Sequence, residues 1–278
     1  MLDWDAFQPM LRLIQTYDME DAAARRADFG VVQNALMGGF RMKRDRYFYT
    51  CIGALFLVLI LIGFRHYIFG GRLASGEPIQ PGMLTAIVAH STAIFAWFLL
   101  FFVQALLIPT QNRKLHMKLG WGGVAIAAAI VLTGPYAAIC ETRLEPNPVL
   151  DWPDLSFLLI MLTGIALFAV FFTIGVLNRK RPRIHRPMML LASLSIISGA
   201  TARIPLTHAM FGTHQWTGLF GAVAMLGLVF LLVRWALTRS LERTFAVGYA
   251  ALLVVTLAAS QLALTNAWVS LAGMIAGR

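Results

Sequence analysis

Residues 88–107 read VAHSTAIFAWFLLFFVQALL, an almost unbroken apolar run of 20 residues. A helix of about 20 apolar residues is long enough to cross the roughly 30 Å hydrocarbon core of a bilayer. His90, Trp97 and Gln104 follow one another at intervals of seven residues, which places all three on one face of such a helix. The run therefore predicts a membrane-spanning helix whose polar face packs against other helices.

The composition of the whole chain extends this prediction. Hydrophobic residues make up 59% of the 278 residues and charged residues only 13%, whereas a soluble domain has about 25% charged residues. The net charge of +10 does not indicate a nucleic-acid-binding protein, because Arg and Lys cluster at the ends of apolar runs, as orientation signals do. The chain is therefore expected to be an integral membrane protein.

Seven apolar runs are long enough to span a bilayer, and they lie near residues 47–69, 83–108, 119–140, 155–178, 187–206, 213–237 and 245–272. The sequence thus predicts an all-α, polytopic helix bundle of seven transmembrane helices over residues 41–278. The fifth run is the shortest and most polar, so it should be buried among the others. Residues 1–40 are predicted to form an amphipathic cytoplasmic arm, and the sequence leaves open whether it lies on the membrane or docks on a protein partner.

Basic residues predict the orientation of the bundle. With the N-terminus inside, the inner flanks and loops hold 15 Lys and Arg residues and the outer side holds 5. Cytoplasmic loops carry such an excess in membrane proteins. We therefore expect an N-in, C-out topology in a bacterial inner membrane.

Several function classes lack the residues that they need. The predicted spans contain no Lys, which excludes a retinal Schiff base, and no Asp or Glu, which argues against ion-coupled transport. The chain has no HExxH, GxSxG, Walker or CxxCH motif. Its two cysteines, Cys51 and Cys140, fall on opposite faces of the predicted bundle and cannot form a disulfide.

The histidines are the strongest candidates for chemistry. On the predicted topology His90 lies inside the second span, near the level of an outer group consisting of Arg203, His208, His214 and Tyr136. A b-type haem needs two imidazoles at one depth on neighbouring helices. His90 with His214 or His208 could supply them, and Arg203 could pair with a propionate. Alternatively, His90 makes a structural hydrogen bond to a Ser or Thr of the fifth span, and Arg203 extends to the surface.

A second pair of histidines lies at the predicted inner side. His116 and His185 follow two similar basic turns, QNRKLHMKLGW (111–121) and LNRKRPRIHRPMM (177–189). They could hold a second haem, or they could be ordinary interfacial residues among Lys and Arg. The similarity of the turns indicates a short internal repeat or only the basic character of inner loops.

The segment AHSTAIFAWFLLFFVQALLIPTQNRKLHMKLGW (89–121) resembles the His–His helical hairpin of cytochrome b561-like membrane proteins. It is also similar to small bacterial multi-span families, some of which are linked to respiratory oxidase assembly. The resemblance covers about residues 83–206 and implies His90 and His116 as haem ligands, one on each side of the membrane. Cytochrome b561 proteins usually place four ligands on consecutive helices, whereas the fourth span here has no histidine.

These observations predict a membrane protein of redox type that binds haem b or a quinone at an outer-leaflet site and passes electrons. Two other functions stay open. The chain could be a non-catalytic subunit or assembly factor of a larger, respiratory-type complex, which the polar face of the second span would help to hold together. It could also bind or transport a lipid or another small molecule in a cavity that opens near Arg203.

Overall fold

The computed structural model describes residues 47–72, 78–79, 81–144, 154–212 and 215–277, and these residues contain helices but no strand. Numbered in chain order, the helices are α1 (Tyr47–Gly63), α2 (Arg65–Gly70), α3 (Pro81–Leu107), α4 (Arg113–Leu144), α5 (Asp154–Leu177), α6 (Pro182–Ile196), α7 (Ser198–Thr201), α8 (Pro205–Phe211), α9 (Gln215–Thr238), α10 (Arg243–Ala263) and α11 (Asn266–Ala276). The all-α prediction is therefore confirmed for the described residues. The arm predicted at residues 1–40 lies outside them.

Five of these helices, α3, α4, α5, α9 and α10, are long and apolar enough to cross a membrane. They coincide with the second, third, fourth, sixth and seventh predicted spans. Several such helices in one chain indicate a multi-pass membrane protein. The quoted run 88–107 lies within α3, which begins at Pro81, where the fixed φ of proline suits a first helical position.

The first and fifth predicted spans are each divided. Residues 47–69 form α1, a shorter apolar helix, and then α2, with Phe64 between them. Residues 187–206 cover most of the 15-residue α6, then α7 and the start of α8. The fifth segment ends before Pro205, because the residue that precedes a proline is driven into extended backbone, and Ile204 has ψ 122°.

Two short helices, α8 and α11, differ from the predicted spans in their bounds. His208 falls between the fifth and sixth predicted spans but belongs to α8, which begins at Pro205 and ends before Gly212, whose φ is 72°. The seventh predicted span, 245–272, stops at Ala263, and α11 begins after Thr265, whose hydroxyl accepts a hydrogen bond from Trp268 N. A threonine in this position is a common helix N-cap, so the sequence contained a signal for this second boundary.

Large apolar side chains form the core. Phe56 of α1 and Phe98 of α3 are fully buried, and their ring centroids lie 5.6 Å apart in an edge-to-face arrangement. Phe230 of α9 adds a third ring at 5.8 Å from Phe56. Such aromatic pairs contribute about 0.5–1.5 kcal/mol beyond their buried area. α6 is buried on most sides, as its predicted central position requires.

Two antiparallel helical hairpins position the polar residues. α3 and α4 are joined by residues 108–112, and α5 and α6 by residues 178–181. These turns lie at the same end of the bundle, which we call the turn end, and the opposite end, with α2 and α8, is the far end. His116 and His185 each lie in or next to the first turn after these loops.

Candidate functional site

His116 and His185 come together at the turn end. Their ring centroids are 6.4 Å apart and the ring planes are nearly perpendicular, at 88°. Both side chains are partly buried. They are the two histidines that the sequence predicted as an inner pair, and the structure brings them together although 69 positions separate them in the sequence.

Each imidazole of this pair is fixed by one ring nitrogen. His116 Nδ1 lies 3.3 Å from the carbonyl oxygen of Gln104, and His185 Nδ1 lies 2.9 Å from that of Gly175. A carbonyl oxygen can only accept, so Nδ1 carries the proton in both rings when they are neutral. Nε2 then has its lone pair available, which is the state that a metal-binding histidine needs.

Gln104 makes a second hydrogen bond to His116, through its side chain. Its side-chain Nε2 donates to the backbone oxygen of His116 at 3.1 Å. Its Oε1 is buried and has no hydrogen-bond partner among the described residues. Arg186 is exposed and lies close enough to both imidazoles to interact with them electrostatically. The turn end therefore combines two oriented imidazoles, a buried amide oxygen and a cation.

His90 lies alone in the far-end half of α3. Its Nδ1 is 3.1 Å from the hydroxyl oxygen of Thr133, and that hydroxyl donates its only proton to the carbonyl of Ala129 at 2.6 Å. Thr133 must therefore accept from His90, which again leaves Nε2 with its lone pair. The ring faces α4 where Gly134 has no side chain, since a Cβ there would lie 3.1 Å from His90 Cε1 and would collide with Ile165.

Arg203 is largely buried at the far end, between α7 and α8. Its Nη1 donates to the carbonyl of Gly199 at 2.6 Å, and its Nη2 lies 3.8 Å from Oε1 of Glu141. The guanidinium also lies over the rings of Phe64 and Tyr67, at 5.3 and 5.7 Å from their centroids. Glu141 was not among the predicted site residues, although it ends an apolar run and could have been noticed there.

The other predicted far-end residues stay apart from His90. His208 Nε2 bonds to the carbonyl of Ala202, close to it in sequence, and Tyr136 is 56% exposed. His214 lies outside the described residues. Within the described part of the chain, no hydrogen bond or ring contact joins His90 to Arg203 or His208.

The polar face of α3 links neighbouring helices along its length. Trp97 Nε1 donates to Ser193 Oγ of α6 at 3.1 Å, with the indole packed edge-on against Phe168. Gln104 reaches α4, as described above. The interpretation of Trp97 and Gln104 as interhelical contacts is confirmed. The hydrogen bond of His90 also joins two helices, but its acceptor is Thr133 of α4 and not a residue of the fifth segment.

The described residues contain no group of three or more His, Cys, Asp or Glu side chains that could hold a metal ion. Two-histidine arrangements are therefore the most that imidazole and carboxylate chemistry provides in this part of the chain. Comparison with models of known protein families, with curated proteins and with solved structures finds no match to this chain.

Proposed function

We propose that the chain is a seven-segment protein of the bacterial inner membrane, oriented N-in and C-out, that binds haem b at a far-end site and passes electrons. Five segments correspond to α3, α4, α5, α9 and α10. The other two segments are α1 with α2 and α6 with α7. In each pair a single helix is too short to cross the bilayer, but the two helices together are long enough. In this orientation the far end is the periplasmic end.

One observation carries the haem proposal, namely the hydrogen bond of His90. An imidazole inside an apolar helix is a candidate for function, and Thr133 orients this one with Nε2 available. Haem b, when bound, supplies a one-electron carrier. His208, whose Nδ1 is the ring nitrogen left available, or His214 would be the second ligand, and Arg203 would neutralise a propionate.

The absorption spectrum of the purified full-length protein tests this proposal. We expect a Soret band and sharp α and β bands after reduction with dithionite. His90→Ala should remove these bands, whereas His66→Ala, which changes an exposed histidine of α2, should leave them unchanged. A featureless spectrum from cells supplied with haem would overturn the proposal. A quinone is the alternative occupant, and mass spectrometry of extracted cofactors would identify it.

A second candidate is a non-catalytic subunit or assembly factor of a larger membrane complex. The hydrogen bonds of His90, Trp97 and Gln104 favour it, because these three residues, which share one face of α3, already serve to join helices. In this case the protein should copurify with another membrane protein in mild detergent. That result together with a featureless spectrum would favour this function over the redox one.

A further inference from the structure

The turn end holds two imidazoles whose separation suits linear coordination of a metal ion. Two imidazoles on one metal ion, each with a nitrogen–metal distance of about 2 Å, have ring centroids roughly 6.3 Å apart when they lie opposite each other and roughly 5 Å apart in a tetrahedral arrangement. The centroids of His116 and His185 are 6.4 Å apart. The observed separation therefore matches two ligands that face each other across one ion.

The outer surroundings of the two rings are those of metal ligands. A ligating histidine usually donates its second ring N–H to a backbone carbonyl or a carboxylate, which fixes its tautomer and orientation. His116 and His185 both do this, toward Gln104 and Gly175, on two different hairpins. Neither ring has to change its tautomer to bind an ion through Nε2.

A soft ligand lies on the same face of α6 as His185. Met189 is one helical turn further along, and its terminal methyl group packs against Gly175, leaving no room there for a Cβ. Gly175 is the residue whose carbonyl accepts the hydrogen bond of His185. The side chain of Met189 and the imidazole of His185 therefore both contact Gly175. Thioether ligands favour copper(I) over harder metal ions.

Charge and ligand number argue against a divalent ion at this place. Structural zinc sites have four protein ligands, and the described residues offer no cluster of three or more His, Cys, Asp or Glu side chains. The guanidinium of Arg186 lies near both imidazoles, and its repulsion is twice as large for a divalent as for a monovalent cation. A monovalent ion with low coordination number suits this site best.

We propose that His116 and His185, with Met189 as a weaker third ligand, form a copper(I) site at the turn end. The site is independent of the proposed haem site, since His90 lies about 14 residues, or roughly 20 Å, along α3 from Gln104 at 1.5 Å per residue. The sequence also separates the two sites, because His116 and His185 each follow a basic turn and His90 does not.

Anaerobic competition between the purified full-length protein and a chromogenic copper(I) chelator, bathocuproine disulfonate, measures the site directly. We expect one copper(I) per chain. Changes in the outer surroundings of a metal site weaken binding roughly 10- to 100-fold, so loss of a ligand in His116→Ala or His185→Ala should exceed about 100-fold. Met189→Leu, which keeps the volume, should weaken binding about tenfold as loss of a weaker ligand.

Two matched controls define a specific result. Met117→Leu changes a methionine that is 64% exposed next to His116, and His66→Ala removes an exposed histidine. Both should bind copper(I) like the parent protein. X-ray absorption at the copper edge should show two nitrogen ligands and one sulfur ligand, and the sulfur should disappear in Met189→Leu.

Three results would overturn the copper site. The first is equal copper(I) binding by the parent and the His116→Ala, His185→Ala double variant, with all proteins monodisperse. The second is tighter binding of zinc than of copper(I). The third is a haem spectrum that depends on His116 and His185. Failure of the haem proposal is a separate outcome, because His90→Ala should retain copper(I) binding whether or not the parent contains haem.

Discussion

The two ends of the bundle differ in how they use their polar residues. At the turn end, the ring centroids of His116 and His185 lie 6.4 Å apart, and each ring is held by a carbonyl of the preceding helix. At the far end, His90, Arg203 and His208 each bond to a different partner. The difference shows that residues predicted at one depth meet at one end of the bundle and not at the other, because the packing of their helices decides the outcome.

The two basic turns strengthen this comparison. Each has the order Asn-Arg-Lys followed by a histidine, and each histidine donates through Nδ1 to a backbone oxygen of the preceding helix, 12 residues earlier at His116 and 10 at His185. The similarity between the turns therefore extends from sequence to hydrogen bonding. An interfacial histidine among basic residues would not need this common geometry.

The largest loss of stability is expected from adding a side chain at Gly63, a glycine at the far end. A Cβ at Gly63 would collide with the backbone of Ala200, and backbone cannot move aside as a flexible side chain can. Gly63→Val should therefore cost about 3 kcal/mol or more of stability, measured as a fall in the thermal unfolding midpoint in detergent. Gly70→Val is the control, because nothing lies within 4 Å of a Cβ there. Equal midpoints for the two variants would contradict the close contact between α1 and α7.

Removing the buried cation of the far end should have the next largest effect. Arg203→Met keeps much of the side-chain volume but loses the hydrogen bond to Gly199 and the contacts with two aromatic rings. We expect a loss of about 2 kcal/mol, since each cation–π contact contributes about 0.5–1 kcal/mol or more. Arg65→Met removes an exposed hydrogen bond to the nearby carbonyl of Ile62 and should change the midpoint little. An unchanged unfolding midpoint in Arg203→Met would show that Arg203 does not make these contacts.

A smaller effect is expected between the two ends. Ser193→Ala removes the acceptor of Trp97 Nε1, and Trp97 is only 4% exposed. An unpaired buried donor costs about 1–3 kcal/mol, so the midpoint should fall by an amount near the lower limit. Ser91→Ala is the matched control, because Ser91 is exposed and bonds only within α3. If both variants unfold alike, the link from α3 to α6 does not stabilise the bundle.

The smallest change in stability is expected at Thr133. Thr133→Val removes the acceptor of His90 Nδ1, and an interhelical hydrogen bond in a membrane protein contributes about 0.6 kcal/mol on average. At the proposed haem site, the same change should weaken haem binding about tenfold, because it removes the group that orients His90. Haem titration of the variant measures this effect. Thr110→Val, at an exposed threonine near the turn end, should leave haem affinity unchanged.

Much of the architecture was predictable, because whether a segment can span a membrane depends mainly on its own length and apolar character. Five predicted spans correspond to long apolar helices, and the polar face of α3 packs against α4 and α6 as its seven-residue spacing indicates. The residues at which α8 and α11 begin were not predicted from the sequence. Their signals, Pro205 and Thr265, are single residues, and the apolar character of the neighbouring residues masks them.

Hydropathy and residue spacing by themselves determined the all-helical, multi-pass architecture, the inward face of α3 and the position of one histidine after each of the two basic turns. Only the tertiary structure decided that His116 and His185 come within 6.4 Å, that Thr133 orients His90 and that Glu141 lies beside Arg203. The physical reason is that periodicity gives the face of a helix, whereas its rotation and its neighbours depend on packing against the whole bundle.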